Sequence, residues 1–248
     1  MEGSNFNFFA KDYHSKRKKA WRPLKIFLSH LKNKGTTFNG IILDLGCGNG
    51  RNFKILGDSP MKLVGIDISL ELIKIVKENL KNLSQFSQFE SKFYQILLGD
   101  IKNLPIRPDS IQNIFSIAAI HHIQKNTVRK DLIIQLFKIL KTNGNLILTV
   151  WRKWQKKYRV YFIIDWFKRK FNNNHREQQN IIGLHEFGDK YVPWTISNEQ
   201  KIYKRYYHFF SKREIKKILE KFTIKEFQIM GGPNKRDNFF IYACKSKH

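Results

Sequence analysis

Between residues 40 and 151 the chain alternates short apolar runs with longer segments in which apolar residues recur at helical spacing. The apolar runs predict strands at residues 41–45, 62–67, 93–98, 111–117 and 145–151. The amphipathic segments predict helices at 69–83 and 127–141, with a short helix from about Arg51 and a polar loop at 84–92. Such alternation is typical of a parallel sheet covered on both faces, so we predict an α/β, doubly wound core.

The segments flanking this core follow different patterns. Residues 16–34 have apolar positions at helical spacing and predict a helix, which Pro23 either begins or divides. Residues 152–205 break the alternation and predict an insertion. The rhythm resumes with a helix at 211–221 and strands at 223–230 and 238–244. A hairpin formed by these two strands would complete a mostly parallel seven-stranded sheet with an antiparallel edge.

A glycine-rich turn follows the first predicted strand. Gly46, Gly48 and Gly50 alternate with other residues shortly after Asp44. Glycine permits positive φ and close approach of the backbone to a ligand, and such turns form cofactor sites in doubly wound sheets. A dinucleotide fingerprint would need a glycine where Arg51 stands. The pattern instead resembles motif I of the class I S-adenosylmethionine-dependent methyltransferases.

Two further acids end the next predicted strands, Asp67 after the second and Asp100 after the third. The carboxyl ends of parallel strands meet at one edge of a sheet, so we expect both acids beside the glycine turn. The motif I resemblance implies that the turn holds the methionine part of S-adenosylmethionine, Asp67 the ribose and Asp100 the adenine. The alternative is a structural turn, with Asp67 as a helix cap before Ser69. The predicted cofactor-binding residues are Asp44, Gly46, Cys47, Gly48, Asn49, Gly50, Asp67, Ile68, Asp100, Ile101, Ile117 and Ala118.

A histidine pair, His121 and His122, follows the fourth predicted strand, where this fold places the transferable methyl group. Contact with the substrate, a structural role in a turn, and metal ligation are the three alternatives. Adjacent residues point apart, and no third ligand lies at suitable spacing, so we expect no metal site.

The charge of the chain indicates a polyanionic partner, because 46 basic and 20 acidic residues give a net charge of +26. Residues 11–34 and residues 152–176 each contain nine basic residues against one acid, and aromatic residues interleave the second stretch. Cations with aromatics could neutralise phosphates and stack on unpaired bases, which favours an RNA substrate. The alternative is a pair of solvated helices whose aromatics pack on the core.

Other classes are disfavoured by what the chain lacks. No uninterrupted apolar stretch approaches the roughly 20 residues that span a bilayer, and the N-terminus does not resemble a secretory signal. We therefore expect no membrane partner, and we also expect no DNA partner. Two cysteines do not make a disulfide framework, so we expect a reducing compartment, the cytoplasm with the nucleus as a second location. Cys47 is expected to line the cofactor loop; catalysis by its thiol is the less favoured alternative.

More specific motifs extend over nearly the whole chain. They are Asp44–Gly50, Ser116–His122, Val150-Trp151, Tyr191–Trp194, Arg205–Phe210, Arg236–Asn238 and the N-terminal stretch Tyr13–Leu28. Together they resemble the eukaryotic tRNA wobble-uridine carboxymethyl methyltransferases, including the methyltransferase half of the oxygenase–methyltransferase version. The chain departs from the family in its short, strongly basic insertion and at Phe239, where the family usually has Trp.

The resemblance implies transfer of a methyl group from S-adenosylmethionine to the carboxylate of 5-carboxymethyluridine in a tRNA anticodon. It also implies a small zinc-containing activator protein, for which the apolar strand at 93–98 is a candidate edge. The residues expected to position the substrate are Arg17, His121, Arg205, Tyr206, His208 and Arg236. Arg205 and Arg236 could instead be structural ion-pair partners, for example of Asp237, and Trp194 could stack on a base or close the core.

Within a single domain we therefore distinguish four regions. They are a basic N-terminal helical region (1–39), a cofactor-binding core (40–151), a basic aromatic insertion on the substrate side (152–205), and a C-terminal helix and hairpin that complete the sheet (206–248). A class I methyltransferase of a small molecule or protein, and a non-catalytic RNA-binding subunit, are the competing functions.

Overall fold

The computed structural model of the chain describes residues 6–56, 61–84, 93–197 and 201–246. Nine strands are described in these ranges: β1 (Gly40–Leu45), β2 (Met61–Asp67), β3 (Phe93–Leu98), β4 (Ile111–Ile117), β5 (Leu140–Trp151), β6 (Asp189–Thr195), β7 (Ile202–His208), β8 (Thr223–Met230) and β9 (Asn238–Cys244). The helices are α1 (Ala10–Lys16), α2 (Arg22–Asn33), α3 (Phe53–Leu56), α4 (Leu70–Ser84), α5 (Asn126–Ile139), α6 (Arg159–Phe171), α7 (Asn173–Ile181) and α8 (Lys212–Ile218).

Seven strands form one sheet in the order β3-β2-β1-β4-β5-β9-β8. The first five are parallel, whereas β9 runs antiparallel to both β5 and β8. This order confirms the predicted doubly wound, mostly parallel sheet with an antiparallel C-terminal hairpin. Because the order reverses between β1 and β4, the carboxyl ends of these strands define a crevice where such sheets bind ligands.

Apolar side chains on both faces of the sheet give the fold two main cores. One core joins α5 and α8 to β4, β5 and β9, around residues such as Leu136, Leu148 and Ile215. The other joins α2, α3 and α4 to β1 and β2, around residues such as Phe27 and Ile42. Among the described helices, none is long and apolar enough to cross a bilayer.

Several predicted bounds need correction. The helix predicted at 16–34 is found from Arg22 to Asn33, so its predicted start is too early, and α1 ends at Lys16. Pro23 lies in the first turn of α2, where its missing N–H needs no partner. The helix predicted to extend to residue 141 ends at Ile139, because Leu140 already pairs with Ile111 at the start of β5. The predicted loop at 84–92 begins at the last residue of α4, and its other residues lie outside the described ranges.

The insertion contains two helices and a two-stranded antiparallel sheet, β6 with β7, that the sequence pattern did not predict. Pro193 interrupts the β6 sequence and is tolerated because the sheet has only two strands, so every strand is an edge. The hairpin brings Trp194 opposite Tyr203, and Val192 opposite Arg205. Asp189 lies opposite His208 at the other end of this hairpin. Just beyond that end, the Phe210 N–H donates to the Trp151 carbonyl of β5.

Candidate active site at the strand ends

The glycine turn adopts a backbone that side chains would disturb. Gly46, Gly48 and Gly50 have φ values of +70°, +58° and +70°. A Cβ added to Gly46 would lie 2.6 Å from the Cβ of Ala119, so this turn and the segment after β4 approach each other closely. At Gly48 the nearest atoms are those of the Tyr13 ring, at 3.9 Å, which leaves the turn open on that side.

Asp67 ties the turn to the end of β2. One carboxylate oxygen accepts the Gly48 N–H at 2.8 Å, and the other accepts the Ser69 N–H at 2.9 Å. Burial raises the pKa of Asp67, and the hydrogen bonds from Ser69 and Gly48 oppose this effect. The contact with Ser69 precedes α4 and does not cap it, because the Ser69 hydroxyl itself accepts the Leu72 N–H at 3.3 Å. The contact with Gly48 fixes the position of the glycine turn.

Asp44 is the most informative group in the crevice. Its carboxylate is 2% exposed, and one of its oxygens has no hydrogen-bond partner among the described residues. Burial, with a smaller contribution from the charge of Asp67, raises the pKa of Asp44 to about 7. A buried carboxylate without a partner disfavours its own charge and fits a cationic ligand. S-adenosylmethionine carries both an ammonium and a sulfonium, so the residues present fit this cofactor.

The remaining predicted cofactor residues lie around the same crevice. The Gly99 N–H donates to the Asp67 carbonyl at 2.9 Å, which brings Asp100 and Ile101 beside the end of β2. The Asp100 carboxylate is partly exposed and pairs with Lys102 at 3.0 Å. Ile68 is exposed, Ile117 is buried, and Ala118 has a positive φ of 57°. Burial and the charges of Asp67 and Asp44 raise the pKa of the Cys47 thiol, which disfavours a thiolate nucleophile there.

The pKa of Asp44 gives an expected pH dependence. The folded protein holds this proton more tightly than the unfolded chain, so the stabilising contribution is complete below about pH 3.8 and is lost as the pH rises through about 7. The free energy of unfolding of the free protein should therefore fall from pH 5 to pH 8 by roughly 1 kcal/mol or more. The affinity for cationic S-adenosylmethionine should rise over the same range.

Denaturant unfolding and calorimetry at several pH values measure both effects. Asp44→Asn should weaken the pH dependence of both the free energy of unfolding and the cofactor affinity. Asp67, whose pKa is also raised, should cause the pH dependence that is left. Unchanged pH profiles in this variant would contradict the assignment.

An N-terminal segment, residues 6–17, packs over the turn and the start of α4. The buried Asn49 donates its side-chain amide to the Arg17 carbonyl at 2.9 Å and approaches His14 Nδ1 at 3.0 Å. The Asn7 side-chain oxygen accepts the Ser69 hydroxyl at 2.8 Å. This segment therefore covers the predicted cofactor residues Gly48 and Asn49. The sequence pattern did not predict such a cover.

Asp12 joins the N-terminal segment to the insertion. Its carboxylate accepts the Trp194 indole N–H at 2.7 Å and the Ser197 N–H at 2.9 Å, and it pairs with Lys16 at 2.8 Å. Although burial opposes it, hydrogen bonds from Lys16, Ser197 and Trp194 lower the pKa of Asp12 to about 2. Trp194 also contacts the rings of Phe9 and Tyr13, so it closes an aromatic layer above the crevice.

Asp12→Ala should loosen this cover. Three hydrogen bonds to one carboxylate are lost, so we expect the cofactor to dissociate roughly tenfold faster, with a smaller change in overall stability. Stopped-flow fluorescence measures this rate. Lys11→Ala, an exposed neighbour on the same helix, is the matched control and should leave it unchanged.

The histidine pair lies within an aromatic cluster, with His121 buried and His122 partly buried. The Trp151 N–H approaches His121 Nδ1 at 3.4 Å, and His122 Nδ1 lies 2.9 Å from the Tyr206 carbonyl. Tyr207 stacks on His121 at 4.9 Å and on Trp151 at 4.2 Å between ring centroids. Burial lowers the pKa of His121 well below its usual range and that of His122 to about 3. Both rings are therefore neutral near pH 7.

These contacts assign the two histidines opposite tautomers. A carbonyl accepts from His122 Nδ1–H, which leaves Nε2 of that ring as an acceptor. A backbone N–H donates to His121 Nδ1, which places the proton of that ring on Nε2. Within the described ranges, the cluster of possible metal ligands contains neither histidine.

The predicted positioning residue Arg205 lies in β7 and is almost fully buried. Its guanidinium lies 4.6 Å from the Trp194 ring centroid and 5.1 Å from that of Tyr207. Its Nε is buried without a hydrogen-bond partner among the described residues. Arg205 makes no ion pair with Asp237 or any other described carboxylate, so the ion-pair alternative is not observed for it.

Arg17, Arg236 and His208 are placed differently. Arg17 is exposed and follows α1, close enough to Tyr207 for its charge to lower the pKa of that phenol slightly against the effect of burial. Arg236 is exposed in the turn between β8 and β9, and it forms no ion pair with Asp237 among the described contacts. His208 is fully buried and lies away from solvent at the other end of the hairpin.

His208 belongs to a buried ion network, which we define as Arg129, Lys153, Glu186, Asp189, His208 and Glu214. His208 Nδ1 contacts Asp189 at 2.7 Å, and its Nε2 contacts Glu214. Asp189 also accepts the Tyr206 hydroxyl at 2.6 Å. Against the effect of burial, the bonds to His208 lower the pKa values of Asp189 and Glu214.

Three members of the network, Glu186, His208 and Glu214, lie close enough together to hold a metal ion. However, Arg129 pairs with Glu186, and Lys153 lies 3.7 Å from Glu214. His208 lies between the carboxylates of Asp189 and Glu214, so each of the three acids in the cluster has a basic side chain as its partner. The cluster is therefore satisfied without a metal and positions β7 against the domain.

Comparison with known proteins agrees with this geometry. Residues 43–148 match a family described as a methyltransferase domain. The chain is 33% identical to a tRNA (carboxymethyluridine(34)-5-O)-methyltransferase of Arabidopsis thaliana, over 59% of this chain and 31% of that protein. It is 22% identical to the protein of the same name from Schizosaccharomyces pombe, over 97% of this chain and 94% of that one.

Among solved structures, a SAM-dependent methyltransferase from Methanosarcina mazei superposes with a TM-score of 0.65 at 19% identity, covering 88% of this chain and 98% of that one. The fold and the site are thus those of the class I methyltransferases that depend on S-adenosylmethionine. The resemblance to the tRNA carboxymethyluridine methyltransferases is also confirmed. The chain spans about a third of the length of the Arabidopsis relative.

Proposed function

We propose that this protein transfers a methyl group from S-adenosylmethionine to the carboxylate of 5-carboxymethyluridine at the wobble position of tRNA. Arg205 carries the proposal. It is a buried cation with no carboxylate partner among the described residues, next to the histidine pair. A buried charge without a partner is costly, so its position is best explained by an anionic ligand. Two relatives are named for this reaction.

The cofactor residues divide the binding task. Asp67 would accept the ribose hydroxyls while holding the Gly48 N–H, and Asp100 would lie at the adenine end. Asp44 would face the cationic part of the cofactor, since its carboxylate has an unpartnered oxygen. S-adenosylmethionine supplies an electrophilic methyl group when bound.

The substrate needs no general base. Its carboxylate is already ionised near neutral pH, whereas His121 and His122 are held neutral by burial. His121, with its proton on Nε2, can donate a hydrogen bond to a carboxylate oxygen. Arg205 would neutralise the carboxylate and orient it. The side chains of Trp194 and Tyr207 would shield the bound carboxylate from water, and rate enhancement would come mainly from positioning.

Exposed cations would hold the rest of the tRNA. The link between α1 and α2 exposes Arg17, Lys18, Lys19 and Arg22 at the edge of the same crevice. Burial and the nearby charge of Arg236 lower the pKa of Arg152, so two guanidiniums lie close together beside the end of β5. Phosphates are the ligands that such unpaired cations bind in RNA. His208 would not touch the substrate. It would hold β7, and with it Arg205, in position through its contacts with Asp189 and Glu214.

A small zinc-containing activator is the second proposed partner. β3 lies at one end of the sheet, with no further strand beside it among the described residues, and it exposes the apolar side chains of Phe93, Leu97 and Leu98. Such an edge is an aggregation hazard unless a partner covers it. Protein that is monodisperse and fully active when expressed alone would count against this partner.

Replacing Arg205 should reveal a charged substrate. Arg205→Ala is expected to lower kcat/KM for tRNA by roughly 100-fold, because charge-assisted hydrogen bonds are lost, with little change in cofactor affinity. Arg205→Lys should restore part of the activity by keeping the charge. Lys204→Ala, an exposed neighbour on the same strand, is the matched control.

The reaction itself is tested with tritiated S-adenosylmethionine and tRNA lacking the ester. Protein purified from its own cells, with any bound partner, should label this tRNA, and mild alkali should release the label as methanol. Label that survives alkali would indicate methylation of a base or ribose and contradict the proposal. Label found only in small molecules or protein would favour those substrate classes instead.

A further inference from the structure

Helix α6 in the insertion exposes an apolar stripe. The stripe consists of Val160, Ile163, Ile164, Phe167 and Phe171, which follow the spacing of one helix face. Val160 is 68% exposed and Phe171 72%, and the other three side chains are also exposed. Trp166 is exposed beside the stripe and contacts Phe167, with ring centroids 4.8 Å apart. Apolar surface of this extent marks an interaction site.

The opposite face fixes the orientation of α6. Phe162 is fully buried and packs edge-on against Phe209 at 5.0 Å. Asp165 is also buried and binds Arg169 at 2.8 Å and His175 at 3.1 Å. Arg169 in turn donates to the Leu184 carbonyl at 3.0 Å. The helix therefore cannot rotate to bury its stripe without breaking these contacts.

Basic residues accompany the stripe on both ends of α6. Lys156, Lys157 and Arg159 precede it, and Lys168 and Lys170 lie in its last turn, all exposed. Lys170 lies 5.1 Å from the Trp166 ring centroid and 5.2 Å from that of Phe171. The sole acid of α6, Asp165, is buried and paired. The exposed surface is thus apolar in its centre and positively charged around it.

We propose that α6 lies flat on an anionic lipid bilayer, with the apolar stripe inserted between headgroups and the surrounding lysines and arginines bound to lipid phosphates and carboxylates. A helix with Phe, Trp and aliphatic residues on one side and Lys or Arg beside them is typical of interfacial membrane binding. Such binding needs no spanning segment, so it departs from our expectation of no membrane partner, which considered only spanning helices and signals.

The same features disfavour the other occupants. A second copy of a chain with a net charge of +26 would bring like charges together around the stripe. Nucleic acid suits the aromatics and lysines, but Val160, Ile163 and Ile164 offer it neither hydrogen bonds nor a stacking face. An acidic, apolar layer matches both parts of the surface, and an anionic membrane supplies it.

Vesicle sedimentation of the 248-residue chain tests the proposal. One set of vesicles contains phosphatidylcholine alone, and the other contains phosphatidylcholine with phosphatidylserine. The variant Phe167→Ser/Phe171→Ser removes two exposed rings and should leave the fold intact. Ile26→Ser on α2 is the matched control, since Ile26 and Phe167 are both 52% exposed. Affinity for bulk tRNA is measured on the same proteins.

We expect binding to the phosphatidylserine vesicles only, weakened about tenfold or more in the double variant and unchanged in Ile26→Ser. Tryptophan fluorescence should shift to the blue on binding, and Trp166→Phe should reduce the shift. No binding to these vesicles, or equal binding by the double variant, would overturn the proposal. Loss of tRNA affinity with vesicle binding retained would also overturn it and assign α6 to RNA.

Discussion

Asp67→Ala is expected to weaken binding of S-adenosylmethionine by about 100-fold or more. The substitution frees two backbone N–H groups, those of Gly48 and Ser69, that the carboxylate now holds at 2.8 and 2.9 Å. It also removes the acceptor that we assign to the ribose. Isothermal titration calorimetry with the cofactor measures the change directly.

The controls separate the two functions of this carboxylate. Asp67→Asn keeps an acceptor for one N–H and should lose less affinity than Asp67→Ala. Glu71→Gln, a nearby and more exposed acid in the first turn of α4, should bind like the unmodified protein. Wild-type affinity in Asp67→Ala would show that the end of β2 does not hold the cofactor.

His208→Ala is expected to have the largest effect on stability, lowering the free energy of unfolding by roughly 3–5 kcal/mol. His208 lies between Asp189 and Glu214, and removing it leaves one buried and one partly buried carboxylate with one partner fewer. Asp189 is fully buried and cannot turn to solvent. Guanidinium unfolding followed by circular dichroism measures the loss.

His185→Ala is the matched control, since His185 is exposed in the same insertion. It should change the free energy of unfolding by less than about 0.5 kcal/mol. If His208→Ala also changed the free energy of unfolding by less than about 0.5 kcal/mol, the ion network would contribute little to stability. The His208 variant should also lower tRNA turnover, because β7 carries Arg205, while cofactor affinity changes less.

The central sheet was predictable because its signals are local. Apolar runs ending in an acid or a glycine turn mark β1, β2 and β3, and the structure ends each of these strands within one residue of the prediction. The glycine turn was predictable for the same reason, since only glycine readily adopts the positive φ values found at Gly46, Gly48 and Gly50.

The N-terminal segment and the insertion cover the site through contacts between residues that are far apart in sequence. No local sequence pattern predicts such contacts. Asp12 meets Trp194 and Ser197 across more than 180 positions. Asn49 meets His14 and the Arg17 carbonyl across the α1–α2 break. The ion network around His208 is similar, because its members come from four separate segments. The sequence did not predict β7, so it gave no sign that Arg205 contacts Trp194 and Tyr207 while His208 contacts Asp189 and Glu214.

Mass spectrometry of wobble nucleosides, in cells that lack this protein and in cells that carry only Asp67→Ala, is the decisive measurement. Loss of the methyl ester of 5-carboxymethyluridine, with accumulation of the free acid in both strains, is the predicted result. An unchanged level of the ester in the cells lacking the protein would contradict a tRNA carboxylate as the methyl acceptor.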